Sequence, residues 1–163
     1  MQTDKCNQIR HLSVRLNTTF ETFTRRLEDA LGRFDPNQIA AHFEAPALLE
    51  DTIRKMQGYE ELMLFNKYDH GALLTAISAP RKAIHYMVGN PLIASAMTYH
   101  DLRAGLYAPL QALVYEEEDM TAYIEYDLPS DLFGQFNNAN VNVTGKSLDT
   151  KFENLIKLAD SQH

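Results

Sequence analysis

Between residues 121 and 128 the chain alternates without a break. Ala122, Ile124, Tyr126 and Leu128 interleave with Thr121, Tyr123, Glu125 and Asp127. A period of two sends successive side chains to opposite faces, so this pattern predicts a strand with one buried face and one wet face. Leu110 to Glu116 reads as its antiparallel partner across the acidic tip Glu117-Glu118-Asp119. A half-wet hairpin does not belong in a doubly wound parallel sheet, whose strands are buried on both sides. Beside it stand segments of helical period. The fold class expected is therefore α+β, an antiparallel sheet with helices packed on it.

Local signals place the other elements. Ile9 to Leu16 reads as a first strand. Thr18 to Gly32 reads as a helix with Phe20, Phe23, Leu27, Ala30 and Leu31 on one face; Thr18-x-x-Glu21 has the form of a capping box, and Gly32 suits a C′ stop. Pro46 to Gln57 reads as a second helix with Leu49, Ile53 and Met56 inward. Glu61 to Asn66 and Ala72 to Ser78 read as two strands around the loop 67–71, and Lys82 to Val88 as another. Asn90 as N-cap and Pro91 at the first helical position open a third helix running to about His100. Residues 129–147, rich in Asn and Gly, read as a long loop in which Asn137, Asn138 and Asn140 either form turns or face a ligand. Leu148, Phe152, Leu155, Ile156 and Ala159 mark the inner face of a last helix. Residues 1–8 read as a polar, mobile tail, and 1–163 as a single domain.

Charge narrows the function classes. The net charge is −7, and the asymmetry is complete: residues 1–90 carry 11 basic and 11 acidic side chains, residues 91–163 carry 4 and 11. An acidic half forfeits the phosphate attraction that supports nucleic-acid binding, and it disfavours an anionic membrane surface. No apolar run approaches the roughly 18 residues of a membrane span, and the polar N-terminus has no signal core, so a cytoplasmic protein is expected. A lone cysteine, Cys6, excludes an internal disulfide and an all-cysteine metal site. At 163 residues, a folded surface of about 8,000 Å² against roughly 27,000 Å² extended leaves an ordinary core without metal or disulfide staples.

The stretch 84–109 carries the densest chemistry. His100 and Asp101 fall at the end of the third helix, where the dipole and a neighbouring carboxylate favour imidazolium; the pair reads either as a general acid or as a histidine that complements the helix end. Arg103 follows as a candidate anion clamp. His85 shares a strand face with Ala83 and Met87, and either lines a cavity or is an ordinarily paired histidine. Asn90 either caps its helix or presents free N–H groups to a carboxylate or phosphate; neither Walker nor dinucleotide spacing is present. Tyr86, Tyr107 and Tyr126, with Met97, belong to a polar-tipped aromatic set suited to an apolar ligand cavity, or to the core. Met87 and Met97 with His100 would be the only haem ligands imaginable, and core packing is the plainer use of methionine. No histidine pair is spaced i, i+4, and no G-x-S-x-G elbow occurs, so neither a metal nor a cofactor is expected.

Four motifs share their order with a known family. G-N-P-x-x-A at Gly89 to Ala94, H-D-L-R-A-G-L-Y-A-P-L at His100 to Leu110, L-V-Y-E at Leu113 to Glu116 and I-E-Y-D-L-P-S at Ile124 to Ser130 resemble the domain of unknown function 302 family over roughly residues 10–160. The resemblance implies an α+β homodimer in which strands or a hairpin are exchanged. Many relatives carry a cysteine where this chain has Gly89, and a Pro-Cys pair where it has Ala108-Pro109-Leu110. Thiol chemistry at those positions therefore does not carry over. The function expected is a small-molecule-binding homodimer. The alternative is a cofactor-independent isomerase, cyclase or lyase using His100 as acid or base, Asp101 to orient it, Arg103 as clamp, and Tyr86 and Tyr107 as hydrogen-bond donors. A purely structural protein docking through its acidic half is the third reading.

Overall fold

The computed structural model describes residues 1–161. Six strands form one sheet in the order β1-β6-β5-β4-β3-β2: β1 (His11–Arg15), β2 (Gly32–Arg33), β3 (Met63–Asp69), β4 (Ala83–Gly89), β5 (Leu110–Glu116) and β6 (Ala122–Asp127). Every pairing is antiparallel except the two-residue contact of β2 with β3. The helices are α1 (Phe20–Ala30), α2 (Pro36–Ala40), α3 (Pro46–Met56), α4 (His70–Leu73), α5 (Pro91–Thr98), α6 (Pro129–Gly134) and α7 (Ala139–Ala159). The α+β class read from the alternation holds.

Register decides which residues meet. Tyr86 lies opposite Ala112, which lies opposite Tyr126, which lies opposite Leu12. That row and the next, Ile84-Val114-Ile124-Val14, face α1 and α7. Phe20, Phe23 and Leu27 of α1 and Leu148, Phe152, Leu155 and Ile156 of α7 close the main core over them. The intervening residues His85, Leu113, Glu125 and Ser13 lie on the opposite face, and none of these four is buried. A second cluster of Ile39, Ile53 and Met63 lies at the β2–β3 end, with Phe34, Phe65 and Leu92 packed against it.

Three sequence expectations are corrected. Residues 129–147 are not a loop. Pro129 sits in the first turn of α6, Asn137 turns the chain at φ 54°, and the Asn138 side chain caps α7 by accepting from Asn140 and Val141 N–H. Asn and Gly are poor helix formers, but here packing overrides propensity: Val141, Gly145 and Leu148 are buried, and a Cβ on Gly145 would come within 3.2 Å of Ser130 Cα. Residues 72–78 are not a strand. The Asp69 carboxylate accepts from Ala72 N–H and starts α4, which runs into a 3₁₀ turn over Leu74–Ala76. The capping box at Thr18 does not form either. Thr19 is the N-cap, Glu21 pairs with Lys82 at 2.6 Å, and Thr18 is held with Asn17 by the Asp160 carboxylate at the end of α7.

Gly32 acts through close approach rather than through positive φ. Its N–H and that of Gly58 both donate to the Leu62 carbonyl, at 3.0 and 3.1 Å. A Cβ on Gly32 would fall 1.8 Å from the Met56 carbonyl oxygen and 2.7 Å from Gly58 N. Backbone on both sides leaves nothing that can swing away. Gly32→Ala is therefore expected to destabilise by about 3 kcal/mol, read as a lowered urea midpoint; an unchanged midpoint would refute this packing.

Candidate functional site

The candidate site lies where two chain crossings meet beyond the ends of β4 and β5. At the first, Gly89 ends β4 and Asn90 turns the chain into α5. The Asn90 Oδ1 accepts from Leu92 N–H at 2.7 Å and Ile93 N–H at 3.4 Å, and its Nδ2 donates to the Glu61 carbonyl at 2.7 Å. At the second, the 3₁₀ helix Leu102–Tyr107 delivers the cis peptide Ala108-Pro109 into β5. A Cβ on Gly89 would lie 3.3 Å from Pro109 Cβ and 3.6 Å from the Phe65 ring. Between these crossings and the helices is a partly open cavity of about 80 Å³, walled by Ile93, Ala94 and Met97 of α5, Leu110 of β5, Phe133 of α6 and Leu148 of α7.

Its wall carries no Asp, Glu, His, Lys or Arg. Two polar side chains line it. Asn90 is buried and its amide is committed to the three bonds just given. Tyr107 is half-buried, packs its ring on Phe136, and donates to Gln135 Oε1 over a long 3.4 Å. Chemically, the space solvates an apolar group, and Tyr107 is the one lining residue that carries a hydroxyl.

The residues singled out in the sequence divide into four places. Asn90, Met97 and Tyr107 line the cavity. Tyr86 and Tyr126 are core residues: Tyr86 donates to Glu28 at 2.9 Å, where burial and the carboxylate together raise its pKa, and Tyr126 packs on Phe152 with ring centroids 4.9 Å apart. His85 sits on the face away from α1 and α7, stacked on Tyr68 at 6.2 Å. His100, Asp101 and Arg103 line none of the cavity. His100 is exposed, with Asn140 Nδ2 3.3 Å from its Nδ1. Asp101 turns from it to cap the 3₁₀ helix, accepting from Arg103 N–H at 3.0 Å and from its guanidinium at 2.9 and 2.7 Å. That pairing lowers the Asp101 pKa. The expected His100–Asp101 partnership is not formed, because Arg103 is the stronger partner for a carboxylate. Sequence reasoning missed Phe65, Ala94, Pro109, Phe133 and Leu148. The signal for several was present, since the cavity is walled by one motif, Gly89 to Ala94, and by the end of the next, Tyr107 to Leu110.

A polar cluster occupies the other face of the sheet. His11 Nδ1 lies 2.9 Å from Asp127 and its Nε2 3.2 Å from Glu125, which also accepts from Ser13 at 3.1 Å and Tyr115 at 2.9 Å. Partial burial pushes Glu125 up, but the bonds from Tyr115, His11 and Ser13 outweigh it and hold its pKa below the usual carboxylate value. The Tyr115 hydroxyl is pushed up to about 12 by burial and then by Glu125. The bonds to Asp127 and Glu125 raise the His11 pKa. Among the described residues no group of three His, Cys, Asp or Glu is arranged to hold a metal ion, and no described helix is long and apolar enough to cross a membrane.

The model of the family described as "Domain of unknown function DUF302" matches residues 40–159, well over half of the chain, and the chain belongs to that family. A crystal structure of the uncharacterized conserved protein DUF302 from Bacillus stearothermophilus is similar at TM-score 0.64 and 16% identity, covering 91% of this chain and 97% of that one. At that identity the likeness establishes the fold. No curated protein matches the chain.

The His11 cluster makes a signed prediction. Its raised folded pKa means that the pairing stabilises the fold fully below the unfolded value of about 6.5 and is lost as pH rises through the folded value. The His11 imidazole is expected to titrate above 6.5 by NMR, and to fall in Asp127→Asn. A midpoint at or below 6.5 would contradict the pairing.

Proposed function

We propose that this protein binds a small organic molecule in the cavity between Gly89–Met97 and Tyr107–Leu110, and that it does so as a homodimer. The observation that carries the first part is the cavity's composition: an apolar pocket with Tyr107 as its one hydroxyl-bearing wall residue, walled by two motifs of the chain. Ligand sites are largely apolar concavities with few placed polar groups. An acid–base reaction receives less support, because the imidazole and carboxylate offered for it, His100 and Asp101, are outside the cavity and not bonded to one another.

Support for the dimer comes from surface area. The accessible surface of 9887 Å² exceeds the roughly 8,000 Å² expected of a compact monomer of this mass by about a quarter, a surplus to which the exposed residues 1–8 contribute. The face of the sheet away from α1 and α7 leaves Met87, Leu113, Tyr115 and Tyr123 only half-buried. A standard interface covers about 800 Å² per partner, well within that surplus.

A methyl-NMR screen of small fragments tests the binding site. Hits are expected to move methyl signals of Ile93, Leu110 and Leu148, and to vanish in Ala94→Leu, which fills the cavity. Hits that centre elsewhere, or survive that substitution, would contradict the site. Sedimentation velocity tests the assembly: twice 18.6 kDa is expected, falling to the monomer mass in Leu113→Glu. A wild-type monomer at every concentration would contradict the dimer.

A further inference from the structure

We infer that the ligand of this cavity is uncharged, and that Tyr107 reads its one polar group. The inference rests on the proposal that the cavity is the binding site, and it names the chemical class that site takes. Every wall residue from α5, β5, α6 and α7, namely Pro91, Ile93, Ala94, Met97, Leu110, Phe133 and Leu148, is apolar. A carboxylate or ammonium moved among them leaves its hydration behind and meets no opposite charge, and such a transfer is strongly unfavourable. Arg103, whose guanidinium lies 5.2 Å from the Phe136 ring that packs on Tyr107, is already spent on Asp101 through two bonds. It is therefore not free for an anionic ligand, and the ammonium of Lys5, the other cation beside Gln135, donates to the Gln135 carbonyl.

Polar recognition then falls to Tyr107. The Asn90 amide has both its atoms occupied by Glu61, Leu92 and Ile93. Taking those bonds would uncap α5 or untie it from Glu61. Tyr107 loses little by turning to a ligand, since its present bond to Gln135 is 3.4 Å long. Gln135 is also not abandoned by the exchange. Its Nε2 still donates to the Leu132 carbonyl at 2.6 Å, and its Oε1 still accepts from Asn7 at 3.2 Å. The volume sets the size. About 80 Å³ is well below the roughly 300–1,000 Å³ of a pocket for a drug-sized ligand. The enclosed part of the ligand is thus a short branched or chain alkyl end, with a hydroxyl or carbonyl at the mouth.

Four probes of one shape test this: isobutanol, isobutylammonium, isobutyrate, and isopentane, in which a methyl replaces the hydroxyl. Each is titrated into the full chain, following the methyl signals of Ile93 and Leu148. Isobutanol is expected to bind at least tenfold more tightly than either charged probe. Tyr107→Phe is expected to weaken isobutanol about fivefold, the size of one net hydrogen bond, while isopentane stays within twofold. Isopentane binding also shows that the variant keeps its fold. Charged probes that bind in the cavity within threefold of isobutanol, or a Tyr107→Phe variant that binds isobutanol as the wild type does, would overturn the inference while leaving the site in place. If none of the four moves the cavity methyls, the site itself is wrong and the inference falls with it.

Discussion

One-sided burial of the sheet is the constraint on which the rest of this structure depends. The alternation along β4, β5 and β6 sends Tyr86, Val114 and Ile124 towards α1 and α7, where all three are fully buried. It sends His85, Leu113 and Glu125 the other way. A slip of one residue in any of these registers would exchange the two sets and place charged or imidazole groups in the core. The long helix α7 is held against the buried face at both ends. Its final residues bring Asp160 to the turn before α1, and its first turns pack on α6. With α1 and α7 fixed in this way, α5 and the 3₁₀ helix after it are left to fill the end of the sheet. The cavity is the space they do not fill.

That origin explains why the cavity is apolar and why its few polar groups are already employed. It opens at the end of a hydrophobic layer, between the main core and the smaller cluster around Met63 to which Phe65 belongs. Asn90 is buried there because it caps α5 and ties it to Glu61, so its polarity serves the fold. Tyr107 alone keeps a weakly committed hydroxyl. The polar chemistry of this chain is concentrated elsewhere, in the His11, Glu125 and Asp127 cluster on the opposite face and in the Asp101–Arg103 pair at the surface.

Much of the fold was legible from local rules. The cap at Asn90, the prolines that open α3 and α5, and the hairpin of β5 with β6 follow from residue types that have little choice. What escaped was decided by packing at a distance. The first turns of α7 contain Asn140, Asn142 and Gly145, and look like a loop because a helix of such residues is stable only when α6 lies against it. Ala72 to Ser78 resembles a strand by composition, yet no neighbouring strand awaits it and Asp69 caps it as a helix. For the candidate site, the two motifs bracket the cavity, but the titratable residues of the second, His100, Asp101 and Arg103, do not line it. His100 and Asp101 are adjacent in sequence and diverge in space. The residues that build the cavity, such as Ala94, Pro109 and Leu148, carry no chemistry of their own and are visible only once the chain crossings are known.

The claim at the centre of this account is that an apolar, ligand-accepting space exists between Met97, Leu110 and Phe133. A crystal structure determined under xenon pressure tests it most directly, because xenon enters apolar cavities of this kind without needing a polar partner. The account predicts an anomalous peak within contact distance of those three side chains. A pressurised crystal with no peak there, or with ordered water bonded to backbone in its place, would contradict it.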